Sequence, residues 1–499
     1  MPRSAVIAIT VLGVAALVLS TTFALVRSTQ LASSRTQIAV LRSELAEAHA
    51  DTLDGDAGGG QTEPANPLEG DDGTGLDDLF SEGGGGLDSL LGGDIEQLAR
   101  CIQQAGPAGN ADVPDGSADD QIAQISDTVE ALRSLSFDEE PSPDFLDDAR
   151  ITERLAAEVR EEYDEGDADA DRRMLAALGA VPPTLDLIEL QTELLTAQVA
   201  GFYDPDNGEL VVRGAASDDG LDAAAQTTLA HELEHALADQ AFGLPVDVTE
   251  DVTDSDAALA ALAVVEGDAT LTQQQFTVVG LTIAEQLGLN TDPGAIDAQR
   301  QLADVPHYVA QSLQFPYLAG LRFACARYLD GGWEAVDDVY DTLPTTTAEI
   351  LDPRRYGTPA VDPRDPGRLR GDWELRRTTT LGAADLLWLF EAPGGETTRG
   401  LDEPRERALA WTGGELALWT DGRESAVGVA LTQEADGPLC DAVATWYERA
   451  FPDATDAPVR RDERMIREGP SQTAVLTCAD THVRLGIAPD LSTARALVR

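Results

Sequence analysis

The chain has 499 residues, 43% of them hydrophobic, which is enough to bury ordinary cores over two or three domains and excludes disorder of the whole. Ninety acidic residues face 34 basic ones, every basic residue is arginine, and the formal net charge is −56. Such a surface repels nucleic acid and anionic lipid headgroups, which argues against nucleic acid as a partner.

The first element in chain order is an uncharged apolar run of 22 residues, 5–26. That length suits a bilayer span better than a signal-peptide core, so a transmembrane signal anchor over residues 1–27 is expected, with cleavage after the small residues near Ala24 as the alternative. The body is then placed at the cell membrane, single-pass and on the extracytoplasmic side, since large domains translocate largely regardless of flanking charge. Residues 28–50 have a short helical pattern, with Leu31, Ile38 and Leu45 seven apart. A stalk helix is expected there, with a weak stalk-mediated dimer as the further reading. Residues 51–92 are acidic and glycine-rich and read as a flexible tether, followed by a small amphipathic segment at 94–104 and a second loose run, which takes the linker to residue 120.

From Gln121 the pattern is that of a folded body. Residues 121–134 carry apolar side chains at helical spacing (Ile122, Ile125, Val129, Leu132), and 151–163, 171–178 and 185–195 read as further helices. Residues 198–203 and 209–213 flank Asp204-Pro205-Asp206-Asn207-Gly208, whose turn chemistry predicts a hairpin. The next helix is expected to start near 217–220 and to stop at Gly243, before Pro245. After residue 372 an apolar helical run at 381–390 is followed by short strands near 408–420, 425–433, 473–478 and 481–487 and a helix near 439–451. This predicts a small C-terminal α+β unit, 372–499. The four cysteines form no Cys-x-x-Cys; Cys440 with Cys478 is the first pairing to expect, and Cys101 with Cys325 the remaining one.

The chemistry is concentrated in His231-Glu232-Leu233-Glu234-His235. Residues four apart on a helix share a face, so both imidazoles can turn lone pairs to one ion, while Glu232, about 100° round, can reach a water on that ion. Zn2+ accepts neutral imidazole, keeps an open position for water and lowers the pKa of that water to about 7, where Glu232 can serve as general base. A third ligand is needed, and only His49, His307 and His482 remain as histidines. Glu266 is the better choice: it lies in an almost wholly apolar helix at 257–271, where a carboxylate needs a counter-charge or a metal. Asp268 is the alternative ligand or a group of the surrounding shell. Asp239, four residues after His235, is placed to orient that imidazole, or else lies on an exposed helix face. For the oxyanion of a tetrahedral intermediate the candidates are His307, Tyr308 and Tyr317, each of which also suits a plain packing role.

With these residues assembled, the chain resembles the zincin metallopeptidases, and among them the gluzincin arrangement of His-Glu-x-x-His followed by a glutamate on a later helix. The blocks at 201–204, 231–240, 265–269, 315–317 and 347–351 are further similar to a group of anchored or secreted bacterial zincin-like proteins. The resemblance covers roughly residues 125–360. It implies an α+β, mainly helical, zinc-dependent metalloendopeptidase domain over 121–371, with the hairpin at the substrate-side edge of its sheet and a peptide or protein as substrate. One departure stands out: thermolysin-like enzymes have an aspartate four residues after the glutamate ligand, and here that position is Thr270. A non-catalytic zincin-like surface protein, for binding or as a scaffold, is the competing expectation.

Overall fold

The computed structural model describes residues 8–11, 95–104, 113–214, 220–289, 293–363 and 365–499. The chain is a mixed helix-and-sheet protein, in agreement with the α+β expectation. Strand β1 (Ala8–Val11) is followed by helices α1 (Ile95–Gln103) and α2 (Ala118–Arg133), strand β2 (Asp144–Leu146) and helices α3 (Asp148–Glu162), α4 (Glu165–Ala177) and α5 (Leu187–Gln198). The hairpin comes next, β3 (Val199–Asp204) and β4 (Glu209–Arg213). Asp204 closes its turn: it accepts from Asp206 N at 3.0 Å and from Asn207 Nδ2 at 2.7 Å, and Gly208 supplies the positive φ of 72°.

The hairpin is not at a sheet edge. The order of the first sheet is β1-β3-β4-β2, with β2 parallel to β4 and β1 antiparallel to β3 from Ala8 opposite Tyr203 to Val11 opposite Val199. This also corrects the expectation of a transmembrane anchor and a membrane-anchored location. Four residues of the apolar run, Ala-Ile-Thr-Val, satisfy their backbone groups along β3 rather than within a helix, as suits β-branched side chains. No helix among the described residues is long and apolar enough to cross a membrane. The rest of the run, the stalk at 28–50 with its dimer contact, and the tether at 51–92 lie outside the described residues. Of the remaining linker, α1 is packed into the body: Leu98, Cys101 and Ile102 are buried, and Cys101 is disulfide-bonded to Cys325.

Helix α6 (Ala223–Phe242) carries the histidine motif. It starts at the cap Asp222, which accepts from Ala225 N at 2.8 Å, and ends at Gly243 with φ 77°. Helices α7 (Val246–Thr249) and α8 (Ser255–Gly280) follow, then α9 (Ile283–Leu289), α10 (Pro293–Asp304), α11 (His307–Gly331), α12 (Trp333–Asp341) and α13 (Thr347–Leu351). Helices α8 and α11 cross where Gly267 meets Gly320: a Cβ on Gly267 would lie 2.4 Å from the Gly320 carbonyl carbon. Only two glycines let the backbones come this close.

The C-terminal part is a seven-stranded antiparallel sheet of order β5-β6-β7-β11-β10-β9-β8. It is formed by β5 (Glu374–Thr380), β6 (Trp411–Thr420), β7 (Ser425–Gln433), β8 (Thr455–Asp456), β9 (Met465–Glu468), β10 (Thr473–Ala479) and β11 (His482–Ala488). Helices α14 (Ala383–Glu391), α15 (Pro404–Ala408), α16 (Leu439–Ala450) and α17 (Leu491–Leu497) accompany it, and Cys440 of α16 is bonded to Cys478 of β10 as expected. One apolar core runs from α1, α8 and α11 through Trp388 and Phe390 of α14 into the sheet at Leu416, Val427 and Leu476. A second core, under α2, β3, β4 and α6, holds the histidine helix against the first sheet.

Candidate metal centre

Helix α6 is buried on all sides from Ala225 to Ala238, with β3 and β4, α2 and α8 packed around it. A helix in that position is expected to be apolar all round, so its buried His231, Glu232, Glu234 and His235 have to be held by specific partners. His231 Nε2 lies 3.2 Å from Glu266 Oε2, and His235 Nε2 lies 3.6 Å from the same oxygen. The two rings stand edge to face with centroids 4.7 Å apart. One ligand atom from each of His231, His235 and Glu266 falls within 4.8 Å of the others, and all three residues are buried.

This group could hold a metal ion, and the donor atoms fit one. His235 Nε2 is buried and has no hydrogen-bond partner among the described residues, although it points at the spot that His231 and Glu266 share. An orphaned imidazole nitrogen in the interior is costly unless an ion takes its lone pair. Burial pushes the His231 pKa down and outweighs the pull of Glu266, which keeps the ring in its neutral, ligating form. Burial alone would raise the Glu266 pKa, but the two histidines overrule it and hold the carboxyl below its usual range.

Glu232 is fully buried beside the ligands, and β3 presses directly on it. A Cβ at Gly201 would lie 2.7 Å from Thr228 Cγ2 and 3.2 Å from Glu232 Cγ, so glycine there lets the strand lie against the helix. Tyr317 comes from α11. Its ring centroid is 6.4 Å from that of His231. Burial and the charges of Glu266 and Glu232 push the phenol pKa well up, so it stays a protonated donor.

The remaining expected residues lie elsewhere. His307 Nε2 pairs with Glu391 of α14 at 2.9 Å, ten residues and about 15 Å of helix before Tyr317. Tyr308 donates to Asp385. His482 lies in β11 with Thr481 Oγ1 at 2.8 Å from its Nδ1, and His49 is outside the described residues. Asp239 does not touch His235; it accepts from the Tyr203 hydroxyl at 2.9 Å and from Leu244 N at 3.0 Å, tying α6 to β3 and to the loop after it. Asp268 lies outside the group formed by His231, His235 and Glu266 and accepts from Arg133 Nη2 at 2.9 Å and from the Tyr340 hydroxyl at 3.1 Å.

Three residues of the site were not among those expected. Gln273, two turns after Glu266 on the same face, donates through Nε2 to Thr227 O at 3.2 Å and so ties α8 to α6 one turn before His231. The Thr270 hydroxyl, between Glu266 and Gln273 on α8, has no partner among the described residues. Glu234 brings Oε2 to 3.9 Å from His235 Nδ1, and Arg133 is buried against Glu234. Glu234 is visible in the sequence as the second glutamate between the two histidines; Arg133 has no local signal. Compared with protein-family models, with curated proteins and with solved structures, the chain matches none in any of the three.

Proposed function

We propose that this chain is a zinc-dependent metallopeptidase with the gluzincin set of ligands, His231, His235 and Glu266. The observation that carries the reading is the convergence of these three buried groups on one point, with Glu232 next to a ligand in the chain and the ring of Tyr317 6.4 Å from that of His231. Two imidazoles and one carboxylate are a donor set that suits Zn2+ and leaves a coordination position open. When bound, the ion would supply an acidified water and Lewis acidity. Glu232 would take the proton of that water and deliver it to the leaving amine, and the Tyr317 phenol would donate to the oxyanion.

A peptide substrate is supported by the sheet. The edge of β3 beside Glu232 already accepts an extended segment, β1, in antiparallel register. An extended substrate taking the place of β1 would run along the same backbone groups and past Glu232. The test is zinc content after chelation and reconstitution, followed by hydrolysis of a peptide library by wild type and Glu232→Gln. About one zinc per chain with cleavage that falls 10²- to 10⁴-fold in the variant is expected. Zinc at that ratio with no Glu232-dependent cleavage would leave a non-catalytic zinc-holding domain and overturn the peptidase reading.

A further inference from the structure

Beside the ligands lies a buried ionic cluster that the proposed reaction does not use. Arg133, the last residue of α2, is completely buried, where a guanidinium survives only with its charge compensated. Its Nε donates to Glu234 Oε1 at 3.3 Å, and its Nη2 donates to Asp268 Oδ2 and to Asp337 Oδ1, each at 2.9 Å. The ring of Trp333 lies 4.2 Å from the guanidinium carbon, and Tyr340 donates to Asp268. Glu234 and Asp268 are themselves fully buried and face each other.

The contact points matter more than the cluster itself. Glu234 precedes His235 on α6, and Asp268 is two residues after Glu266 on α8. One planar fork from a third helix therefore grips each ligand-bearing helix next to its ligand. Without it, two buried acidic groups on α6 and α8 would face each other with no cation between them. The same grip turns Glu234 so that its other oxygen stands 3.9 Å from His235 Nδ1, on the side of the ring away from Glu266. That distance is an ion-pair approach and not a hydrogen bond.

We propose that Arg133 is a positioning residue of the metal centre. It sets α6 against α8 so that Glu266 meets His231 and His235, and it holds the Glu234 carboxyl toward His235 Nδ1, where a group behind a ligating imidazole fixes the ring. The inference rests on the metal reading above. It is tested with Co2+ alone as the probe, by reconstituting wild type, Arg133→Lys and Glu234→Gln and measuring Co2+ affinity by competition titration and the visible absorption of the bound ion. Unfolding of the metal-free proteins is followed alongside. Lysine keeps the charge but cannot reach Glu234 and Asp268 in one planar fork. Arg133→Lys is expected to bind Co2+ 10- to 100-fold more weakly with an altered spectrum, and Glu234→Gln to change both in the same direction. Wild-type affinity and spectrum in both variants, whatever their stability, would overturn the proposal. If Arg133→Lys does not fold, Glu234→Gln decides alone, because it keeps the size and the acceptor toward Arg133. Wild type that takes up no Co2+ would instead sink the metal reading, and the positioning role with it.

Discussion

Gly267→Ala is the most economical way to ask whether helix packing sets the metal geometry. The new Cβ would meet Gly320 carbon and oxygen at 2.4 Å and its Cα at 2.8 Å, all of them backbone atoms that cannot swing aside. Ordinary contact begins near 3.4 Å, so α8 and α11 have to separate by about 1 Å. Alanine gains about 1 kcal/mol of helix propensity over glycine, whereas overpacking a close contact costs about 1–3 kcal/mol, so the clash is expected to prevail by roughly 1 kcal/mol. The larger effect falls on the site. Glu266 is the neighbour of Gly267, so where α8 gives way by about 1 Å its carboxyl moves relative to His231 and His235 of α6 by more than the roughly 0.2 Å that metal-ligand distances tolerate. Denaturant midpoints of the metal-free protein and zinc affinity against a competing chelator measure the two effects. A variant as stable as wild type, with unchanged zinc affinity, would refute the argument that the Gly267 and Gly320 contact sets the distance.

Glu266→Ala removes the oxygen that lies within 3.6 Å of both imidazoles, and metal analysis should find the protein largely free of zinc; full retention would refute the ligand assignment. Tyr317→Phe should keep its zinc and lose about 10²- to 10³-fold in kcat with little change in KM, and a loss confined to KM would argue against an oxyanion role. Burial, against the hydrogen bonds from Thr347, pushes the Asp256 pKa up to about 8. The folded state therefore holds a proton that the unfolded chain releases near pH 4, and the stability this residue contributes declines from about pH 4 to pH 8, by at most about 1.4 kcal/mol per pH unit. Asp256→Asn should remove that decline, and a wild-type-minus-variant difference in urea midpoint that is the same at both ends of the window would contradict it. Cys101→Ser opens a bridge between residues 224 apart and should cost about 2–5 kcal/mol, read as a lower unfolding midpoint and protease sensitivity around α1.

Elements whose signal is local were legible in the sequence. The apolar spacing at 121–134 matches α2, and Asp204 to Gly208 predicts the turn between β3 and β4, because both depend on residues a few positions apart. The start of α6 is expected a few residues early: Asp222, whose side chain caps Ala225 N, is the start, and acidic residues before it look equally suitable as letters. Pairing between distant segments was not legible. A run of 22 apolar residues satisfies a length rule for a membrane span whether its backbone groups are met within a helix or along another strand, and hydropathy does not distinguish the two. The hairpin looked like an edge for the same reason, since the partners that flank it, β1 and β2, come from far upstream in the chain.

The site divides along the same line. His231 and His235 are one turn apart, and Glu266 announces itself as a charge in an apolar helix, so the ligands could be proposed from letters alone. What orients them could not, because Arg133 meets its partners across 101, 135 and 204 residues of chain. The departure at Thr270 also takes on a definite meaning in the structure. Thr270 is a buried hydroxyl with no partner among the described residues, and His231 Nδ1 has no hydrogen-bond partner among them either. His235, by contrast, has the carboxyl of Glu234 3.9 Å from its Nδ1. The two imidazoles are therefore supported unequally, and the carboxyl beside His235 is balanced by the buried guanidinium of Arg133.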